Sequence, residues 1–257
     1  MRAPITRIYA PRFDGNVGIF RLSMRQANKV VSVLRASPGD ELVLFNERVG
    51  EYRVRVKSPA RGDVEVLGQH ERECRFPAQS KQIATRLIVA FPPLKPERTR
   101  YLVEKCTELG ANSLVPLQTA FGQNLAGRWQ PGKVEEWVLG AVEQCGRLEP
   151  PSFLRTPQPL RDFLKDRIST PLILGDPRSS QTLTSALNDL KEIRLAEEMA
   201  LVVGPEGGWS SEEEAEFTSR EGLDFKRVTL GPHVLRTETA ALVCLSFVSE
   251  QLRSLTN

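Results

Sequence analysis

Three short glycine-led stretches hold the residues whose types and spacing could do chemistry: GDPRSS from Gly175, GPEGGWSS from Gly204 and GPHVLRTE from Gly231. Each follows an apolar run, PLILG, ALVVG or RVTLG. Glycine at the end of such a run lets the backbone turn tightly and approach a ligand closely. The second and third stretches carry two carboxylates, Glu206 and Glu238, and one guanidinium, Arg236. A carboxylate can take a proton, and a guanidinium can stabilise negative charge as it develops.

Strand, glycines and helix is also the layout of a phosphate cradle. Neither GxxxxGK[ST] nor GxGxxG occurs here, and GPEGGWSS has no lysine. Ser210 with Glu213, or Ser211 with Glu214, can form a capping box that uses up the first N–H groups of the following helix. Glu206 and Glu212 to Glu214 would repel an anion at that helix start. A neutral or cationic ligand fits better. S-adenosylmethionine carries a sulfonium and an ammonium group and no phosphate. In the third stretch Thr237 is placed to cap AALVCLSFV, a run apolar enough for a largely buried helix.

These stretches need a frame. From residue 80 onward strands and helices alternate, which argues for a mostly parallel sheet. TRLIVAF is a continuous apolar strand, as in a sheet covered on both faces. PERTRYLVEKCTELGA reads as a helix: Pro96 suits its first turn, Leu102, Cys106 and Leu109 form a stripe, and Gly110 stops it. SLVPL is a short strand. KVEEWVLGAVEQCGR is a second amphipathic helix, with Val134, Trp137, Val138, Ala141 and Cys145 on one face and Gly146 at its end. Three βα units in series follow. If their strands are neighbours, Gly175, Gly204 and Gly231 lie at one rim, outside the carboxyl ends of the strands, where open sheets bind ligands.

The first third has another texture. DELVLFN and VEVLG read as strands, and GEYRVRVKS alternates strictly, with Tyr52, Val54 and Val56 opposite Arg53, Arg55 and Lys57. ANKVVSVLRA can form one short helix. The expectation is a small β-barrel, separated from the rest by the polar stretch 70–82. Residues 1–77 hold 14 Lys/Arg against 9 Asp/Glu, a balance of +5, and residues 78–257 hold 21 against 23, a balance of −2. A basic module on a near-neutral body suggests contact with a polyanion.

Four scattered cysteines and two histidines give no clustered ligand set, so no metal is expected. Free buried thiols, no signal-like N-terminus and no apolar run long enough to span a bilayer point to a cytoplasmic protein.

GPEGGWS followed by LGPHVLRTETAAL resembles the signature of the bacterial RNA methyltransferases that form N3-methyluridine in small-subunit (16S) ribosomal RNA, in the trefoil-knotted SPOUT class. RIYAPRF, VLRASPGDELVLFN, KPERTRYLVEKCTELGA and EQCGR resemble further family segments in the family's order, so the likeness covers nearly the whole chain. It implies a PUA-like β-barrel at 1–74 that binds RNA, then an α/β trefoil-knotted methyltransferase domain at 80–257 whose rim loops form the knot around S-adenosylmethionine. It also implies a homodimer and a substrate within the small ribosomal subunit. Carried over by position, Gly175, Gly204, Pro205, Glu206, Gly207, Leu230, Gly231, Leu235 and Thr239 bind the cofactor.

For the chemistry, Arg236 ranks ahead of Glu206 and Glu238. A cation beside the uracil lowers the cost of losing the N3 proton without a dedicated base. Arg7, Arg25, Arg35, Arg53, Arg55, Lys57 and Arg147 are the candidate RNA contacts, salt-sensitive in sum. His233 stands where the family usually has Arg. TAFGQN, with Ala120 and Phe121, stands where it usually has an acidic–basic pair. A ribose 2′-O-methyltransferase of the same class and a non-catalytic assembly factor that binds RNA are the competing readings.

Overall fold

The computed structural model describes residues 6–70, 85–122, 128–189, 196–220 and 224–255. They fall into two compact units, 6–70 together with Val142–Glu149, and the remainder from Thr85 onward. The expected boundary at 70–82 lies almost wholly outside the described residues, as does Cys74.

The first unit is built on a five-stranded sheet: β1 (Arg7–Tyr9), β2 (Gly18–Arg21), β3 (Glu41–Asn46), β4 (Gly50–Ser58) and β5 (Asp63–Gln69), in the order β1-β3-β4-β5-β2. The alternation in β4 has its physical outcome, since Val54 and Val56 are buried while Arg53 and Lys57 point outward. Ile8, Phe13, Leu44, Val54, Val64 and their neighbours form one apolar cluster. The short helix starts three residues earlier than ANKVVSVLRA suggests. It runs as α1 (Met24–Asn28) behind a Ser23–Gln26 capping box and continues as a π turn, Lys29–Val33. The sequence reading missed this box because the apolar run begins only at Val30.

Arg7 is turned inward. Its guanidinium pairs with Glu51 at 2.7 Å, lies over the Phe45 ring and donates to the carbonyls of Val142, Glu143 and Arg147. Those carbonyls belong to the C-terminal end of α3 (Pro131–Cys145) and the residues just after it. This arginine therefore corrects the expectation of a surface phosphate contact.

The second unit holds a parallel sheet: β6 (Arg86–Phe91), β7 (Ser113–Gln118), β8 (Ser152–Phe153), β10 (Leu172–Gly175), β11 (Glu198–Val203) and β12 (Phe225–Val228), in the order β12-β10-β11-β6-β7-β8, with β9 (Gln158–Pro159) also on β7. Helix α2 (Pro96–Glu108) packs on α7 (Thr237–Leu255), which crosses β6, β10 and β11. Helix α4 (Leu160–Asp166) packs against β7 and α6 (Ser211–Thr218). Helix α5 (Leu183–Asp189) follows β10 and lies against β12. The central strands are therefore apolar on both faces, which is why TRLIVAF and ALVV read as unbroken runs.

Two features depart from three βα units in series. β12 pairs with β10, not with its predecessor β11. Its pairing also ends at Val228, so Gly231 is not a strand-end glycine; it lies beyond, with φ +148°.

Deep under the second unit, Arg220 is 2% exposed and donates to four carbonyls, of Leu164, Arg167, Ile168 and Thr170. These carbonyls lie where α4 ends and in the turn after it, and burial pushes the guanidinium pKa down.

Candidate active site

Register decides where the three stretches meet. Gly175 pairs level with Val203 of β11 and Val228 of β12, so Asp176, Gly204 and Thr229 leave the sheet side by side at its carboxyl edge. Around them is a cavity of about 490 Å³, within the usual range for small-molecule sites. Of the residues expected to hold a cofactor, Gly175, Gly204, Pro205, Glu206, Gly207, Leu230 and Leu235 line it, and Arg236 does too. Gly231, Glu238 and Thr239 do not.

Two of the glycines are set by close approach. A Cβ on Gly204 would come 2.9 Å from the Trp209 indole, and one on Gly175 would come 3.2 Å from Leu230. Trp209 in turn packs edge-on against Phe217, with ring centroids 4.9 Å apart, so its indole has little room to yield. Val203, Leu230, Val234 and Leu235 give the cavity apolar wall.

The helix after the second stretch closes on itself. Ser210 and Glu213 form the capping box in α6. Glu213 also accepts from the Ala120 N–H at 2.8 Å, which ties the segment after β7 to the start of α6. Glu214 caps nothing. It joins a four-membered charge network with Asp176, Arg178 and Arg227. Burial pushes the Asp176 and Glu214 pKa values up, but the arginine hydrogen bonds outweigh it and hold both carboxyls below their ordinary range. The acidic helix start is thus largely spent within the protein.

Both candidate bases meet a residue that the sequence reading passed over. Arg98, on α2, places Nη2 2.8 Å from Glu206 and grips Glu238 through two hydrogen bonds, the one from Nε at 2.9 Å. Glu238 is 7% exposed. Its burial favours the neutral form, yet the Arg98 hydrogen bonds prevail and its pKa is lowered. Hydrogen bonding to Glu238, ahead of the opposing burial, raises that of Arg98. A carboxylate held this way is a poor proton acceptor. Arg98 lies in PERTRYLVEKCTELGA, where only the apolar stripe drew attention; no spacing rule links it to positions 206 and 238.

Thr237 is not an N-cap. It is the first residue of α7, and its hydroxyl donates to the Gly204 carbonyl at 2.9 Å. Arg236 takes the cap position, its carbonyl accepting from the Ala240 N–H. The Arg236 side chain is exposed at the cavity, and among the described residues no ion pair holds it.

A family model described as an RNA methyltransferase domain matches residues 81–249. The chain belongs to that family. It is also similar to the ribosomal RNA small subunit methyltransferase E of Bacillus subtilis, at 26% identity over 90% of each chain, and to that of Rickettsia conorii, at 26% over 94% of each. Among solved structures, a Legionella pneumophila methyltransferase with bound S-adenosylmethionine overlays with a TM-score of 0.78 at 28% identity, covering 97% of this chain and 98% of that one. A ribosomal RNA small subunit methyltransferase E of Neisseria gonorrhoeae, also bound to S-adenosylmethionine, overlays with 0.76 at 25%, covering 96% and 98%.

Among the described residues of this methyltransferase, no group of three or more His, Cys, Asp or Glu is placed to hold a metal ion. No helix among them is long and apolar enough to cross a membrane. Cys106 and Cys244 are free and buried, which pushes both thiols up, that of Cys244 to about 12. Of the candidate RNA contacts, Arg25 and Arg35 are exposed. Arg53 and Arg55 pair with Glu41, and Lys57 with Glu65. These are exposed pairs of small net worth, which a phosphate can displace. Arg147 is half-buried and its burial pushes the guanidinium pKa down.

Proposed function

We propose that this protein transfers a methyl group from S-adenosylmethionine to N3 of one uridine in small-subunit (16S) ribosomal RNA. The observation that carries the reading is the pairing of a glycine-walled cavity with an exposed arginine at its edge, Arg236, which no ion pair holds among the described residues. The residues fit the cofactor: Gly175 and Gly204 let Leu230 and Trp209 pack close at the strand ends, the walls are part apolar, and the start of α6 is closed by its own capping box. When bound, S-adenosylmethionine supplies an electrophilic methyl group. Gly204 to Gly207, Leu230 and Leu235 would hold it.

The chain's own contribution is alignment and charge. Holding uracil N3 in line with the methyl supplies much of the rate. Arg236 stabilises the negative charge that grows on the uracil carbonyl oxygens as the N3 proton leaves. Glu206, paired with Arg98 but more than half exposed, is the carboxylate still able to reach a substrate proton; Glu238 serves as an anchor. The target base must be unpaired or extruded to reach the site.

The same reading makes the first unit a PUA-like RNA-binding barrel and the loops of the second a trefoil knot of the SPOUT class. In support, Thr237 reaches the end of β11 although β12, just before it, lies on the far side of β10. A cytoplasmic homodimer belongs to this proposal. Arg236→Ala should lower turnover about 100-fold, the scale of losing one transition-state donor. Calorimetric affinity for S-adenosylmethionine should stay nearly intact. An equal loss of cofactor affinity would remove Arg236 from the catalytic step.

A further inference from the structure

We propose that Phe121 is the platform on which an unpaired base of the RNA stacks while its neighbour is methylated. This rests on the reading of the protein as an RNA methyltransferase. Phe121 is 61% exposed, a large aromatic facing solvent. Scattered exposed apolar residues are common and mean little alone. This one is fixed, and it is fixed at the cofactor loop. The Ala120 N–H donates to Glu213 Oε1 at 2.8 Å, and the Gly122 N–H donates to the Thr119 carbonyl at 3.1 Å, so the backbone on both sides of the ring is held. The side chain lies against Gly207, where a Cβ would meet Phe121 Cβ at 3.1 Å and Cγ at 3.4 Å.

Gly207 lines the cavity and Phe121 does not. The ring is therefore placed beside the reacting base and not over it, and the base it fits is the flanking one. A phenyl face offers neither charge nor hydrogen bonds, so it holds any base by stacking and reads no sequence. Its task is to keep the strand splayed once the target has left its stack.

The test uses the full-length protein as Phe121→Ala, Phe121→Leu and Phe121→Trp. Affinity is measured for small ribosomal subunits lacking the modification, with S-adenosylhomocysteine present. Base–aromatic stacking of ordinary strength predicts about tenfold weaker binding for the alanine and leucine variants and binding within about twofold of the parent for tryptophan. Cofactor affinity and sedimentation should be unchanged. Parent-like binding by the alanine variant overturns the proposal. So does a leucine variant that binds as well as the parent, a parallel loss of cofactor affinity, or a change in oligomeric state, which would place the ring in a subunit contact. If the parent binds subunits but transfers no methyl group, the methyltransferase reading falls and the alanine-to-parent ratio still decides the stacking. If the parent does not bind subunits, both fall.

Discussion

Gly204→Val abolishes S-adenosylmethionine binding and leaves the chain folded. The added Cβ would sit 2.9 Å from Trp209 Cε2 and 3.0 Å from Nε1. The indole is braced on Phe217, and Phe217 belongs to the core under the sheet. The other route of escape, moving residue 204, breaks the hydrogen bond its carbonyl accepts from Thr237 and shifts the start of α7. Even Gly204→Ala overpacks the site by about 1–3 kcal/mol. If that cost falls on the binding-competent loop, affinity drops about 5- to 150-fold. Calorimetry measures it directly. Gly132→Ala is the control, because a Cβ there meets nothing within 4 Å. A Gly204→Ala protein that binds the cofactor like the parent would take this glycine out of the site.

Arg98→Met costs both stability and turnover. It leaves Glu238 buried with the two hydrogen bonds from Arg98 gone. Stripping the partner from such a charge should cost about 2–3 kcal/mol, toward the low end because Arg98 is itself partly exposed. The dependence on pH gives the signature. Glu238 has a lowered pKa in the folded protein, so its contribution to stability is present above the unfolded pKa and is lost as pH falls through the folded one. In the variant that acid-side loss shrinks, because only a backbone hydrogen bond and the charge of Arg236 still favour the ionised Glu238. Urea unfolding between pH 3 and 7 should therefore show a smaller difference between parent and variant at the acid end than at neutrality. A difference that is the same at every pH would mean that Arg98 acts through packing alone. Arg98→Lys should recover only part, since an ammonium cannot make the forked pair.

How much of this was legible beforehand depends on the range of the interaction. Local chemistry was readable: the Ser210–Glu213 box, Pro96 opening α2, the alternation of β4 and the apolar strands of a covered sheet all follow from spacing within one element. The rim was readable in part: Gly175 and Gly204 end their strands at the cavity, whereas Gly231 lies beyond the end of β12. The long-range partners were not. Nothing near position 98 announces Glu206 and Glu238, and nothing near Arg7 announces the carbonyls after Val142. Thr237 looked like a cap because threonine before an apolar helix usually is one; its hydroxyl goes to Gly204, which is distant in sequence and fixed only by topology. The order of β12 and β10 was hidden for the same reason. A serial βα pattern describes the neighbours equally well whether the last strand joins one edge or returns past its predecessor. Phe121, read first as a departure from the family pattern, gained a role only through its contact with Gly207.

The most direct test of the account is methyl transfer with the product mapped. The protein would be incubated with labelled S-adenosylmethionine and small ribosomal subunits from a strain lacking the modification, and the RNA digested for mass spectrometry. The account predicts N3-methyluridine at a single position. A methyl group on a ribose 2′-oxygen would contradict the assigned chemistry, and cofactor binding with no transfer to any nucleotide of the subunit would contradict the assigned substrate.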